Sequence, residues 1–462
     1  MDGSPGERPS VTARPGRTGR PGYWAALALA AVALHLVVFD RGLGGDGWAT
    51  FAFVESVLDD GDTFLENNHR GVRNGLLARP DGRLAMQYPP GVAVLDAVPV
   101  LLARAADAVL PDAWLGAGAA VPPVGPVSRR TFLEIAAIVA ARNLAVLFGL
   151  AAVAAALRRL GHGDRVAAVA AALAFFAGPL VFYGLVGASH APSFALAALL
   201  LLVLVRGEAA PSDRLALAAG FLVGAAVLVR YSAIALLPAA LLIRPATSRL
   251  RSATLALLGC CLPLALLPPF WRLHHGRWLP LPYGGVLEPT IAAPWNVLFA
   301  PQHGVLFFHP ALLLALAGMV WAVRRGGGGH RRLHAVGLLW VASVATLHGC
   351  WSDWANPGGW GQRFVTDALP ALALGFAALA EGRWRRVALA GAAAGAVLTW
   401  WLFFAAAGGL ARIPAGHPWP QRLADYAPLV SDPPSPAELR DAALRASFLL
   451  RAVTGTAPAP PP

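Results

Sequence analysis

The chain has 462 residues, 57% hydrophobic and 13% charged, with a formal net charge of +12 carried by Arg, since Lys is absent. That balance excludes an ordinary soluble domain and points to a polytopic helical membrane protein. It does not signal nucleic acid, because the Arg residues sit in short loops between apolar runs, the positive-inside arrangement.

Residues 1–22 are rich in Gly, Pro and Arg without periodicity and read as a disordered cytoplasmic tail. The apolar run 23–39 follows this long basic lead-in with no cleavage signal, which favours a retained helix over a signal peptide. Further runs lie at 88–106, 131–157, 166–183, 191–205, 214–229, 232–243, 252–271, 304–323, 333–348, 364–380 and 387–408. The intervening Arg clusters all fall on one side if 88–106 does not cross, but lies as a juxtamembrane or re-entrant element. The expected fold is therefore all-α, with about eleven crossings in a transmembrane domain over 23–408. Segment 232–243 is short for a crossing. The tail 409–462 is Pro-rich and external, with an amphipathic stretch near 436–453. Cys260, Cys261 and Cys350 offer no disulfide framework.

The first external loop, 40–130, holds six acids between Asp46 and Glu66 and no basic residue among them. Asp46 reads either as an N-cap for the helical stretch that follows or as a carboxylate facing a cavity, able to take a proton from an acceptor hydroxyl. The run Asp59-Asp60-Gly61-Asp62 reads as a turn with Gly61 as C-cap; a divalent metal site is the alternative. Tyr88-Pro89-Pro90-Gly91 reads as a rigid helix entry with Tyr88 at the interface, or with Tyr88 turned into a site. Ser189 is expected to cap a helix that brings His190 to the outer membrane edge. Arg230-Tyr231 lies between apolar segments with no acid near it in the chain, facing either a cavity partner or the interface. The adjacent pair His274-His275 has poor zinc geometry. The loop from His348 to Asp367 combines Trp351, Trp354 and Trp360 with glycines, Gln362 and Arg363. There an Arg can grip a lipid phosphate while an aromatic ring stacks on a sugar.

These pieces, taken together, resemble the GT-C-type polytopic glycosyltransferases, the group that includes protein O-mannosyltransferases and aminoarabinose transferases, and in particular bacterial membrane proteins of that group. The resemblance spans roughly 24–408 and is carried in order by Gly45-Asp46-Gly47, Asp60-Gly61-Asp62, Asn67-Asn68, Tyr88-Pro89-Pro90-Gly91, Arg142-Asn143, Ser189-His190 and Tyr283-Gly284-Gly285. It continues with Leu298-Phe299-Ala300-Pro301, Gly304 to Phe307, and Gly358 to Arg363 with Asp367. It implies a transferase in the bacterial cytoplasmic membrane with its active face external. The reaction would move a sugar from a polyprenyl-phosphate donor to a lipid, glycan or protein hydroxyl, with inversion. It implies Asp46 as the first-loop catalytic acid, and substrate contacts from Tyr88, His190, Arg230, Tyr283, Trp360, Gln362, Arg363 and Asp367. Gly47 stands where the commoner pattern has a second acid, so no cofactor is expected. A non-catalytic transporter or binding protein for a lipid-linked glycan would use the same cavity without needing Asp46.

Overall fold

The computed structural model describes residues 43–407 apart from 44, 72–74, 80, 111–119, 122–124, 187–188, 279–292, 301–303, 352–361 and 383–384, together with 435 and 437. The expected first crossing at 23–39, the tail 1–22, nearly all of 409–462, and the site candidates Tyr283 and Trp360 lie outside the described residues.

Within them the fold is all-α. The apolar runs that fall among the described residues become helix, because in hydrocarbon each backbone amide must be satisfied inside its own segment. The first loop opens with α1 (Gly45–Glu55), one π turn (Ser56–Asp60) and a short hairpin, β1 (Leu76–Ala78) with β2 (Leu84–Met86). Then come α2 (Gly91–Val109), a second two-residue pairing of β3 (Ala120–Val121) with β4 (Gly125–Pro126), and α3 (Arg129–Arg159). The body continues through α4 (Asp164–Phe176), α5 (Leu180–Val186), α6 (His190–Ala209) and α7 (Asp213–Val229). A 3-10 turn (Tyr231–Leu236) leads into α8 (Leu237–Leu241), followed by α9 (Arg249–Leu264) and α10 (Leu267–His275). The last described part runs through α11 (Ala293–Phe299), α12 (Val305–Phe308), α13 (Pro310–Arg325), α14 (Gly328–Gly349), a 3-10 turn (Arg363–Ala368), α15 (Leu369–Glu381) and α16 (Arg385–Ala407). Four helical stretches, Arg129–Arg159, His190–Ala209, Arg249–His275 and Arg363–Glu381, are long and apolar enough to cross a membrane unaided.

Contacts sort the helix ends into two groups. At one end Arg332 pairs with Glu208 and reaches the Leu242 carbonyl, Arg244 donates to the Glu208 carbonyl (2.7 Å), Arg251 pairs with Asp213 (2.7 Å) and His162 with Glu381 (2.8 Å). This end gathers the Arg-rich connections. The other end holds α1, the hairpin, α2 and the start of α3, tied by Arg104 and Arg130 to Asp59 (2.8 Å each) and by Arg79 to the His274 carbonyl (2.8 Å).

Helix α2 stays at that second end throughout. Gly91 abuts the Leu228 backbone, and Asp107, near the helix's far end, pairs with Arg129 (3.0 Å). One face of α2 buries Val92, Ala93, Asp96, Val100 and Ala103, while Val94, Leu95, Val98, Leu101 and Leu102 remain exposed. Asp96 pairs with Arg142 (3.0 Å) and Arg104 with Glu134 (2.7 Å), so α2 runs antiparallel along the first half of α3 and leaves an apolar stripe exposed. Segment 231–243 does connect the two ends despite its length. Arg230 joins the site end, and Leu242 receives Arg332 at the basic end.

Candidate active site

Asp46 lies in the first turn of α1, and its carboxylate is directed sideways to Tyr88 and Arg363. The Tyr88 hydroxyl donates to Oδ1 (2.6 Å), and Oδ2 stands 3.8 Å from Arg363 Nη1. The Asp46 and Arg363 side chains keep 22% and 25% of their surface exposed, so a ligand can reach both. Tyr88 is therefore a member of the site and not an interfacial anchor. It is held by Gln87, whose amide donates to its hydroxyl (3.1 Å), and by Gly75. Gly75 has φ +82°, and a Cβ there would come within 2.5 Å of the Tyr88 ring. The Tyr-Pro-Pro-Gly entry docks on α7 because only hydrogen fits at Gly91, where a Cβ would meet the Leu228 carbonyl at 2.5 Å.

The other five acids of the stretch from Asp46 to Glu66 are engaged structurally. Glu55 pairs with Arg70 in two-pronged fashion, and burial pushes its carboxyl above the ordinary range despite that partner. Asp59 receives Arg104 on both oxygens and Arg130 on one. Burial opposes its ionisation, but the hydrogen bonds from Arg104 and Arg130 outweigh that and hold it below the usual range. Asp60 accepts from Asn68 (2.7 Å), and Glu66 from the Leu84 amide (2.6 Å). Asp62 accepts from Ser56 (2.7 Å) and the Phe64 amide (2.9 Å), which lower its carboxyl. Gly61 is the αL C-cap. Among the described residues no three His, Cys, Asp or Glu side chains converge on a common point.

Behind Arg363 lies a buried polar cluster. Arg230, the C-cap of α7, contacts His190 Nδ1 (3.2 Å) and Asp367 Oδ2 (3.5 Å). Arginine only donates, so that imidazole nitrogen must be the acceptor. The acid missing near Arg230 in the chain is thus supplied by Asp367. Ser193, one helical turn after His190, donates to Asp367 Oδ1 (2.7 Å), and the Trp340 indole donates to its carbonyl (3.0 Å). Asp367 is therefore an anchor for Arg230. Ser189 is the N-cap residue of α6 but makes no side-chain cap, contrary to its expected role.

The Phe364 ring sits between the guanidiniums of Arg230 (5.2 Å) and Arg363 (5.4 Å) and stacks on His348 (4.2 Å between centroids, 9° between planes). Tyr183 faces His190 (5.1 Å) and the Arg363 guanidinium (6.0 Å). Both ring nitrogens of His348 and the amide nitrogen of Gln362 are buried without a partner among the described residues. Two cations held over aromatic faces beside unmatched donors make a pocket suited to an anion.

Sequence reading did not single out Ser193, Tyr183, Phe364, His348 or the buried pair Arg142–Asp96 (3.0 Å) as site residues. Spacing offered one signal, since Ser193 is three residues past His190 on one helix face. The Arg142 guanidinium occupies the space beside Gly47, where a Cβ would lie 3.4 Å from Nη1. A side chain at that position would meet this guanidinium at ordinary contact distance and press harder on Leu43 Cβ (3.0 Å).

No protein-family model and no curated protein matches the sequence. Among solved structures, the chain overlays ArnT from Cupriavidus metallidurans bound to undecaprenyl phosphate with a TM-score of 0.51 at 15% identity, covering 95% of this chain and 71% of that one. The same protein in its apo state gives 0.49 at 15% identity (92% and 68% covered), and an oligosaccharyltransferase from Archaeoglobus fulgidus gives 0.47 at 14% (95% and 56% covered). The first overlay shows that the chain has the GT-C fold of polytopic membrane glycosyltransferases.

Proposed function

We propose that the protein is a membrane glycosyltransferase that moves a sugar from a polyprenyl-phosphate donor to a hydroxyl acceptor on the external side of the cytoplasmic membrane. The observation that carries this is the reachable carboxylate of Asp46 facing Arg363 at 3.8 Å, with the buried Arg230 and His190 behind it. On a GT-C scaffold, this pairing would serve as proton acceptor and anion site side by side. The basic end of the bundle would lie in the cytoplasm by the positive-inside rule, so the site end faces out.

In the reaction the acceptor oxygen attacks the anomeric carbon as the bond from that carbon to the phosphate oxygen breaks. The hydroxyl proton passes to Asp46, which Tyr88 orients. Polyprenyl phosphate leaves with its charge held by Arg363 and, beneath it, Arg230. Such preorganised cations stabilise developing charge without reorganising. One displacement inverts the anomeric centre; a retained configuration in the product would refute the single-step form. The ArnT overlay supports a lipid-phosphate partner, because that structure contains undecaprenyl phosphate.

The test uses the full-length protein in nanodiscs with a panel of polyprenyl-phosphate sugars and envelope lipid extract, following release of polyprenyl phosphate by mass spectrometry. Wild type should release it, and Asp46→Asn should slow release on the order of 10²–10⁴-fold while still binding donor. Donor binding with equal, negligible release by both proteins would support the transporter reading and count against the enzyme.

A further inference from the structure

At the basic end, opposite the proposed active site, a groove of about 350 Å³ opens between α4, α15 and α16. Arg165 from α4 and Arg385 and Arg386 from α16 line it. No carboxylate among the described residues pairs with any of the three. The nearest acids in the chain are engaged elsewhere, Asp164 with Arg158 (3.6 Å) and Glu381 with His162 (2.8 Å). Three guanidiniums around one groove repel one another. Two of them also stand in the first turn of α16, where the helix dipole disfavours cations and favours an anion. The first turn of α4 starts beside them; it carries Asp164, while its N-cap, Gly163, supplies no side-chain acceptor. An anion in the groove turns each of these unfavourable terms into a favourable one.

The remaining walls are apolar: Val166 and Val169 from α4, Ala380 from α15 and Leu389 from α16. The outer surface of α16 continues that character, with Val387, Val397 and Leu398 exposed. A free phosphate would leave this apolar track unused, whereas a lipid would lay its acyl chain along it.

We propose that this groove binds the headgroup of an anionic glycerophospholipid from the leaflet at the basic end, its phosphate gripped by Arg165, Arg385 and Arg386. Basic pockets between transmembrane helices near the membrane surface recognise such headgroups, and the guanidinium fork matches phosphate geometry. The proposal is independent of the transferase reading. Arg363 and Glu381 bound a continuous helical stretch, so the two sites are separated by about the hydrocarbon thickness.

The experiment is native mass spectrometry of the delipidated full-length protein titrated with phosphatidylglycerol, phosphatidylcholine, undecaprenyl phosphate and glycerol 3-phosphate. Phosphatidylglycerol should bind in preference to the other three at this site. The triple variant Arg165→Gln, Arg385→Gln, Arg386→Gln should weaken that binding on the order of a hundredfold. The control triple Arg159→Gln, Arg214→Gln, Arg324→Gln removes equal charge from the same end outside the groove and should change it little. Val169→Trp keeps every charge but fills the groove, so it should also abolish the bound lipid, and it guards against misfolding of the triple variant. Equal losses in both triples would show diffuse charge attraction and overturn the site. Undiminished binding in Val169→Trp would do the same, as would a loss of undecaprenyl phosphate or glycerol 3-phosphate binding in the groove triple variant as large as its loss of phosphatidylglycerol.

Discussion

Asp46 differs from its five acidic neighbours in what they touch. Each neighbour closes a turn, clasps an Arg or satisfies an amide, while Asp46 faces a phenol, a guanidinium and open space. Its aim depends on Tyr88, and Tyr88 depends on the absence of a side chain at Gly75. Gly75→Ala should push the ring aside, since the new methyl would lie 2.5 Å from Tyr88 Cε2 at a φ that L-residues rarely adopt. It should therefore lower turnover about as much as Tyr88→Phe. If Gly75→Ala keeps full activity while Tyr88→Phe does not, the ring is not positioned by Gly75. Behind Gly47, the buried pair Arg142–Asp96 carries a different expectation. Asp96→Ala leaves a buried guanidinium without its carboxylate and should cost about 3–5 kcal/mol, read as a lower thermal midpoint in detergent. An unchanged midpoint would mean that another group compensates Arg142.

The first loop is held as an element by an ionic clasp. Arg104 bridges Asp59 of the π turn and Glu134 of α3 (2.7 Å), and Arg130 joins both. Asp59 is lowered below its unfolded value of 3.8. A depressed carboxylate contributes stability that is fully present above its unfolded value and lost as pH falls through the lower folded one. Hydrogen exchange across residues 55–70 should thus stay slow down to about pH 4 and quicken below it. Asp59→Asn should lose that acid sensitivity, exchanging faster at neutral pH, and an unaltered profile would place the clasp elsewhere. The same loop packs on α2, whose exposed Val94, Val98, Leu101 and Leu102 face away from the body.

Across the whole molecule, close helix contacts are made by small residues. A Cβ at Gly375 in α15 would sit 1.9 Å from the Ala315 carbonyl oxygen of α13, and one at Gly220 in α7 would sit 1.7 Å from that of Ala256 in α9. Without a hydrophobic drive between helices in lipid, such backbone approach supplies much of the association. Gly375→Val should force α13 and α15 apart, costing at least about 1–3 kcal/mol, and lower the yield of monodisperse protein. Gly391→Ala, whose new methyl meets only Leu314 at 3.4 Å, should behave as wild type. Monodisperse Gly375→Val at full yield would show that the contact yields easily. The bundle also sets the depth of the site. Arg230 and Asp367 are buried within it, 5% and 1% exposed. Burial there makes their pairing obligatory.

The helices were legible in the sequence because a membrane helix satisfies its backbone locally and shows as an apolar run, and because Arg marks the loops on one side. Charge alternation carried the expectation that 88–106 does not cross. Chemistry-bearing residue types were legible too, in Asp46, Tyr88, His190, Arg230 and Arg363. Their partnerships were not. Asp367 meets Arg230 from 137 positions away, and Ser193 meets Asp367 from 174. No local period encodes such distances. The six acids from Asp46 to Glu66 look alike in one dimension, and only packing decides which five lock the loop and which one meets Tyr88 and Arg363 with its carboxylate still accessible.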